Sequence, residues 1–486
     1  MNDRHTRKET VAGAARGGAA REALVAADEP AGEMLEPLDV LVVGGGMITN
    51  DQILPSLYHL QRIGRVGRIA ICALSSGPLK ALADSPALSA AFPGQRFEPW
   101  PALDQPPDAV FAELFREAIA ALAPRQLVVV AVPDHLHDGV IRAALDREQN
   151  VLSVKPLVLR HAQAVEIERI ARAKGLYVGV EYHKRFDRRA LDARGQYRAG
   201  RLGAMRCGEA KLVEPYYYRH SNFQNWFTRE NSDPFTYIGC HYVDLVHFIT
   251  GLRPVEVSVR GVEGRFPNGN VGYLWSIAEV VWENGALLSV LNGLGYPDLG
   301  PGTNDQGLCL YCEGDDCGAI LCHDDQYRGV GHGYVDRRSG AAFRYVSPDY
   351  FRLVPWEGEG LRPVGYGYDS IEAHLAAAAR VNAAGRNQPH AAGTAGRSAG
   401  DARDDAAGWR DAADGGPRVG HVAAAAGALQ RQQRLLAEID RRGILATPGN
   451  TAFNELVIEA GRLSIAAAGR RVAIDYEPAP GVRPVV

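Results

Sequence analysis

The chain has 486 residues, of which 46% are hydrophobic and 23% charged, and its formal charge is −4. A chain of that length divides into two or more cores, and so small a net charge gives no electrostatic case for nucleic acid or an anionic membrane. No apolar run reaches the roughly 20 residues that span a bilayer, and seven cysteines, an odd number in a large chain, read as reduced thiols of a cytoplasmic protein.

Residues 1–37 are rich in Ala, Gly, Arg and Glu, carry no apolar signal core, and read as a disordered leader or a mis-called start. Then Leu38-Asp39-Val40-Leu41-Val42-Val43 runs into Gly44-Gly45-Gly46-Met47-Ile48, and Ile53, Leu54, Leu57 and Leu60 follow at helical spacing. Strand, glycine turn and helix in that order expose backbone N–H groups and a helix N-terminus, which together suit a dinucleotide pyrophosphate. Thr49 stands where the third glycine of the G-x-G-x-x-G pattern would fall. Further strands are expected at Ile69–Leu74, Leu127–Val132, Val151–Val154 and Tyr177–Glu181. Helices are expected between them at Asp108–Leu122, His137–Arg147 and Ala162–Ala173. Short apolar strands alternating with helices predict a parallel sheet covered on both faces, with ligands at the carboxyl ends of its strands, where Gly44, Pro133 and Lys155 fall.

Beyond Arg185 a helix over Arg188–Tyr197 leads into long extended segments: Ala204–Val213, Val255–Val262, Leu274–Trp282, Ala286–Leu291 and Leu308–Cys312. These predict an α+β region with an antiparallel sheet, interrupted by a helix over Pro234–Thr250. Residues 391–420 are low in complexity and read as a flexible insertion. Helices are expected again at Ala423–Arg441 and Thr451–Ala468, the latter with Phe453, Leu456, Val457, Ala460 and Leu463 on one face. Cys309, Cys312, Cys317, Cys322 and His323 lack zinc-knuckle spacing, so no metal is expected, and the thiols read as buried hairpin cysteines.

The glycine turn, Val132-Pro133-Asp134-His135-Leu136-His137, Val151-Leu152-Ser153-Val154-Lys155-Pro156 and Gly239-Cys240-His241-Tyr242-Val243-Asp244 occur in an order that resembles the Gfo/Idh/MocA oxidoreductases, the glucose–fructose oxidoreductase and inositol dehydrogenase family. The resemblance implies an α/β Rossmann domain with a parallel doubly wound sheet, plus an α+β C-terminal domain with a large, mostly antiparallel open sheet. It implies a cleft where nicotinamide meets a sugar, sugar acid or cyclitol, and a homodimer or homotetramer built on one sheet face. The expected divisions are the leader, a dinucleotide-binding domain over 38–160, a substrate and oligomerisation domain over 161–390, the insertion, and C-terminal helices and tail over 421–486 packed on the body. The family's usual Glu-Lys-Pro is Val154-Lys155-Pro156 here, and its frequent aspartate four residues before the histidine is Tyr237.

Oxidising a secondary alcohol needs a hydride acceptor, a base, and a positive group beside the developing alkoxide. Lys155 suits the last role and His241 the second, because imidazole titrates near neutrality. Asp244, three residues on from His241, can orient it or bind a second hydroxyl. Tyr237 is either an acid or a packing residue. Arg185 either clamps a substrate carboxylate or forms an ion pair. The run 214–226, with Tyr216 and Trp226, is either a sugar-stacking loop or a domain-interface cluster. Cofactor contacts are expected from Gly44, Gly46, Met47, Ile48, Ser75, Pro133, His137 and Lys155. The second strand ends without an acid, at Ser75 and Ser76 with Lys80 nearby, so of NAD and NADP the reading leans slightly to NADP. The alternatives are an NAD-dependent glycoside hydrolase or epimerase of the same fold, and a non-catalytic nucleotide-binding protein.

Overall fold

The computed structural model describes residues 35–300, 304–324, 331–336, 340–344, 350–386 and 419–485. Most of the expected leader and insertion therefore lies outside the described residues. Apolar, β-branched runs form β1 (Leu38–Val43), β2 (Val66–Cys72), β3 (Glu98–Trp100), β4 (Leu127–Val130), β5 (Asn150–Val154) and β6 (Val178–Glu181). They make a six-stranded parallel sheet in the order β3-β2-β1-β4-β5-β6. The sheet thus extends past residue 160 to take in the helix His161–Lys174 and β6. Strand alternation sends Val40 and Val42 into one core with Leu54 and Leu57, and Leu41 and Val43 into another with Ile141 and Ala144. Each face is dry, as a doubly wound sheet requires.

The second body is a ten-stranded sheet. Its strands are β7 (Ala204–Pro215), β8 (Pro254–Arg265), β9 (Val271–Trp282), β10 (Leu287–Tyr296), β11 (Asp305–Glu313), β12 (Gly318–Asp324), β13 (Gly331–Asp336) and β14 (Gly340–Arg344). A separate hairpin follows as β15 (Arg352–Pro355) and β16 (Leu361–Val364), and β17 (Val472–Asp475) and β18 (Gly481–Pro484) return to the large sheet. The order is β14-β13-β12-β11-β7-β10-β9-β8-β17-β18, and only the β7–β10 pairing is parallel. One face is buried under the helices Cys240–Thr250 and Pro448–Ala466; the other leaves Ile277, Leu287, Leu291 and Tyr311 exposed.

Thr447 and Asn450 form a capping box on either side of Pro448, fixing where the last long helix begins. Phe453, Leu456, Val457 and Ala460 are buried along it as their spacing predicts, whereas Leu463 is turned to solvent. A helix the sequence reading did not anticipate, Tyr366–Gly385, packs Ile371, Leu375 and Val381 into the core beneath the parallel sheet. The chain therefore returns to its first domain after building its second. Cys309 and Cys322 pair directly across β11 and β12 and are half-buried, as is Cys317; of the four, only Cys312 is buried as expected.

Gly44 is where backbone geometry leaves no choice. Its φ is +122°, and a Cβ there would stand 2.1 Å from the carbonyl oxygen of Ala131. Gly44→Ala is expected to lower stability by about 1–3 kcal/mol through backbone strain alone, and more if β4 must move. A urea midpoint shift with unchanged slope checks this.

Candidate active site

The nucleotide end is built from β1 outward. The Gly44 N–H donates to the Cys72 carbonyl oxygen at 2.7 Å, and the buried Thr49 hydroxyl donates back to the Gly44 carbonyl oxygen at 2.6 Å. Thr49 thus closes the turn where the usual pattern has a third glycine. A Cβ on Gly46 would meet nothing within 4 Å, so the space over this turn is open to a ligand. Met47 and Ile48, both half-buried, start the helix that continues through a π-helical turn, Thr49–Ile53. The glycine turn, its N–H groups and the cleared space fit a dinucleotide pyrophosphate.

At the end of β2 the expected trio separates. Ser76 is fully buried and donates to the Gln105 carbonyl oxygen at 2.7 Å, and the Lys80 ammonium donates to the same oxygen at 3.2 Å. Ser75 remains half-exposed. Pro133 lies at the end of β4 and leads into a short helical turn, Asp134–Leu136. His137, expected against the cofactor, is instead fully buried. Its Nδ1 lies 2.8 Å from the Pro156 carbonyl oxygen and its Nε2 2.9 Å from that of Val132, so it ties the turn after β5 to the end of β4. No ring atom is left for a ligand.

Lys155 follows β5 and is 8% exposed. Its ammonium donates to the Tyr237 carbonyl oxygen at 2.5 Å and stands 3.5 Å from the centre of the Tyr237 ring. Tyr237 lies in a π-helical turn, Phe235–Gly239, that opens the helix Cys240–Thr250. Asp233 starts that turn by accepting the backbone N–H groups of Phe235 and Thr236 at 2.9 and 3.0 Å, with Pro234 next in sequence. The Tyr237 ring is packed by Phe223, Trp226 and Phe227 at 5.1, 5.5 and 6.0 Å between centres. Trp226 therefore belongs to an aromatic cluster on the second core. Tyr216 is 44% exposed, with the Arg219 guanidinium 4.4 Å above its ring.

Two carboxyls flank the ammonium. Asp134 is buried and accepts the Ser232 hydroxyl at 2.6 Å. Burial pushes its pKa up, against the charges of His137 and Lys155. Burial likewise raises Glu214, opposed by Lys155 and Lys184. Neither carboxyl was given a role from sequence.

His241 begins the helix one turn beyond Tyr237. Among the described residues its buried Nδ1 has no hydrogen-bond partner, and its ring centre lies 4.8 Å from that of His183. Burial holds the imidazole well below its ordinary pKa, reinforced by the charges of Lys155, His183 and Lys184. The ring is therefore neutral at physiological pH. Asp244 does not reach it. Both Asp244 oxygens are taken by Arg185, at 2.7 Å from Nε and 2.5 Å from Nη2, and each side chain is 2% exposed. Asn454 adds an amide at 3.3 Å. Asp244 and Arg185, both candidates for substrate contact, are engaged with each other, because a buried carboxylate is compensated best by a bidentate guanidinium.

Glu181, His183 and Gln52 were overlooked. His183 Nδ1 lies 2.9 Å from Glu181 Oε2, and Gln52, on the π-helical turn after the glycines, donates to Glu181 Oε1 at 2.9 Å. Glu181 at a strand end beside an His-Lys-Arg run is the sequence signal that could have found the pair.

With this geometry established, the comparisons are informative. Residues 38–182 match the family model described as oxidoreductase family, NAD-binding Rossmann fold. Inositol 2-dehydrogenase 1 of Saccharopolyspora erythraea is 32% identical over 133 residues, 27% of this chain and 37% of that relative's length. An inositol dehydrogenase homolog from Azotobacter vinelandii, solved with NAD+, superposes with a TM-score of 0.56 at 16% identity, covering 91% of this chain and 98% of that one. The same homolog with NADH and myo-inositol gives 0.54 at 18% identity, again over 91% and 98%. Residues 38–182 are thus similar to the Gfo/Idh/MocA oxidoreductase family, and 91% of the chain shares the fold of those solved structures.

Proposed function

We propose that the protein is an NAD(P)-dependent dehydrogenase acting on a secondary alcohol of a sugar, sugar acid or cyclitol. The observation that carries this is the Lys155 ammonium bonded to the carbonyl oxygen of Tyr237, one helical turn before His241, with its charge bearing on that imidazole. Both side chains lie at the strand-end side of the sheet that also carries the open Gly46 turn. A bound dinucleotide would supply the hydride acceptor. Lys155 would stabilise charge on the reacting oxygen, and neutral His241 would hold the hydroxyl by a hydrogen bond. Incubation with polyols and sugars, with NAD and NADP separately, is expected to raise absorbance at the nicotinamide band. Release of an aglycone without net reduction would indicate the hydrolase instead, and binding without turnover a nucleotide-binding protein.

For the cofactor, the absence of an acid over Leu74–Gly77 removes the group that would repel a 2′-phosphate, while Lys80 and Ser76 are already bonded to Gln105. Both dinucleotides are therefore expected to bind, with affinities within about tenfold of each other, or about 1.4 kcal/mol; titration of cofactor fluorescence checks this.

The exposed sheet face is proposed to meet a second copy of the chain. Leu291 lies opposite Ile277 and beside Lys211 in register. Leu291→Glu, which replaces an exposed apolar side chain of that face with a carboxylate, is expected to shift the protein toward monomer in light scattering. Among the described residues no helix is long and apolar enough to cross a membrane.

A further inference from the structure

We propose that the proton acceptor of this site is the Glu181–His183 pair, with His241 serving as a neutral hydrogen-bonding neighbour. This rests on the dehydrogenase reading above and assigns its base.

The two imidazoles stand side by side, 4.8 Å between centres, and differ in what lies behind them. An imidazolium carries two N–H groups, and both need acceptors when buried. Among the described residues His241 finds none for its buried Nδ1, and it faces the charges of Lys155, His183 and Lys184. A proton placed on it would leave an unbonded N–H beside two ammonium groups. His183 is the opposite case. Its Nδ1 meets Glu181 Oε2 at 2.9 Å, and a carboxylate only accepts, so Nδ1 holds a hydrogen and Nε2 holds the lone pair. The His183 side chain is 12% exposed while that of Glu181 is 4% exposed. The base is therefore reachable, and the carboxylate that supports it is shielded.

Glu181 is itself fixed. Gln52 Nε2 donates to Glu181 Oε1 at 2.9 Å and to the Gly367 carbonyl oxygen at 3.0 Å, and the Tyr350 hydroxyl donates to Gln52 Oε1 at 2.5 Å. The rings of Tyr350 and Tyr366 hold His183 at 4.9 and 5.6 Å. Burial raises the Glu181 carboxyl, while the charge His183 carries once protonated, its hydrogen bond and the Gln52 amide bring it below its ordinary value. His374, on the far side, is driven by burial to about 4 and brings no competing charge. The titratable groups around His183 are thus Glu181, Lys184, His241, Lys155 through His241, and the two tyrosines, with Asp51 and Glu214 acting on Tyr350. Glu181 is the carboxyl that bonds to the His183 ring. A carboxylate behind an imidazole fixes tautomer and orientation and stabilises the imidazolium that forms. Sequence spacing suggested Asp244 behind His241; the structure puts the carboxylate behind the neighbouring histidine. Glu181 and Gln52 are positioning residues, and Gln52 sits in the helix that leaves the nucleotide turn.

In the step assigned, the carbinol C–H bond breaks and its hydrogen leaves with two electrons to the oxidised dinucleotide. The O–H bond breaks, its proton forms an N–H bond at His183 Nε2, and the alcohol becomes a ketone.

The test compares the pH dependence of kcat/KM in the wild type, His183→Asn, Glu181→Gln and His241→Asn, with dinucleotide affinity as the folding control. His183→Asn is expected to lose about a hundredfold in kcat/KM together with the acid limb of the profile. Glu181→Gln keeps the limb but lowers kcat/KM by about tenfold, since the ring loses the carboxylate that fixes its tautomer and orientation. His241→Asn lowers activity with the limb in place. A limb that survives His183→Asn, or that disappears with His241→Asn, overturns the assignment while leaving the dehydrogenase reading intact. A wild type that reduces neither dinucleotide with any polyol overturns that reading, and this one with it.

Discussion

Replacing Lys155 with methionine is expected to lower kcat by about a thousandfold while dinucleotide affinity changes little, because the charge it removes matters most in the transition state. The size of the effect follows from the environment. The ammonium is 8% exposed, held by one carbonyl oxygen and lying over one aromatic ring, so it is close to dry and is oriented before substrate arrives. In such a site a fixed positive charge stabilises developing alkoxide more than it would in water, where solvent would reorganise around it. Methionine keeps the length and the apolar stem, so the loss isolates the charge. Lys155→Arg is also expected to fail to restore rate. The planar guanidinium cannot occupy a spot shaped by a ring face 3.5 Å away and a single acceptor. Single-turnover measurement of dinucleotide reduction, with cofactor affinity measured separately, checks both variants. If the methionine variant loses affinity and keeps kcat, Lys155 is a cofactor ligand and the electrophilic role is wrong.

The sequence made the first domain legible because parallel strands buried on both faces appear as unbroken apolar runs, as Leu127–Val130 and Val151–Val154 do. It missed β3, whose Glu98-Pro99-Trp100 carries a proline tolerated only at a sheet edge. It missed the helix Tyr366–Gly385 because its alanine-rich face gives a weak periodic pattern, and what holds it is contact with a sheet nearly two hundred residues earlier. The site divides in the same way. Lys155 and His241 are each marked by local context, a strand end before proline and a helix start. Which carboxylate meets which imidazole is decided by contacts distant in sequence: Gln52 reaches Glu181 across 129 residues and Arg185 reaches Asp244 across 59. Asp244 and His241 do share one helix, and that local rule suggested their pairing; the buried guanidinium has the stronger claim on the carboxylate. His137 was misread for a related reason. Its place after a strand end suits a ligand contact, but two carbonyl oxygens from separate loops enclose its ring.

The Arg185–Asp244 pair gives the largest expected effect on stability. Arg185→Met should cost about 3–5 kcal/mol, since it leaves a carboxylate buried at 2% exposure without its bidentate partner, the Asn454 amide at 3.3 Å remaining. The guanidinium also donates to Asn450 Oδ1 at 3.2 Å and to the Gly443 carbonyl oxygen at 3.4 Å, so its loss loosens the entry to the helix Pro448–Ala466 as well. The double variant Arg185→Met/Asp244→Leu is expected to recover much of that loss, because no buried charge is then left uncompensated. Activity should not recover with it. Arg185 lies in the same short helical turn as His183, and Asp244 follows His241 on its helix, so the ion pair fixes the distance between the segments that carry the two imidazoles. A double variant that is stable yet slow would show that the pair serves as a spacer for the site. Urea midpoints at constant slope measure the stability terms, and kcat/KM of the folded double variant measures the spacing. Full activity in the double variant would leave the pair with a purely structural role.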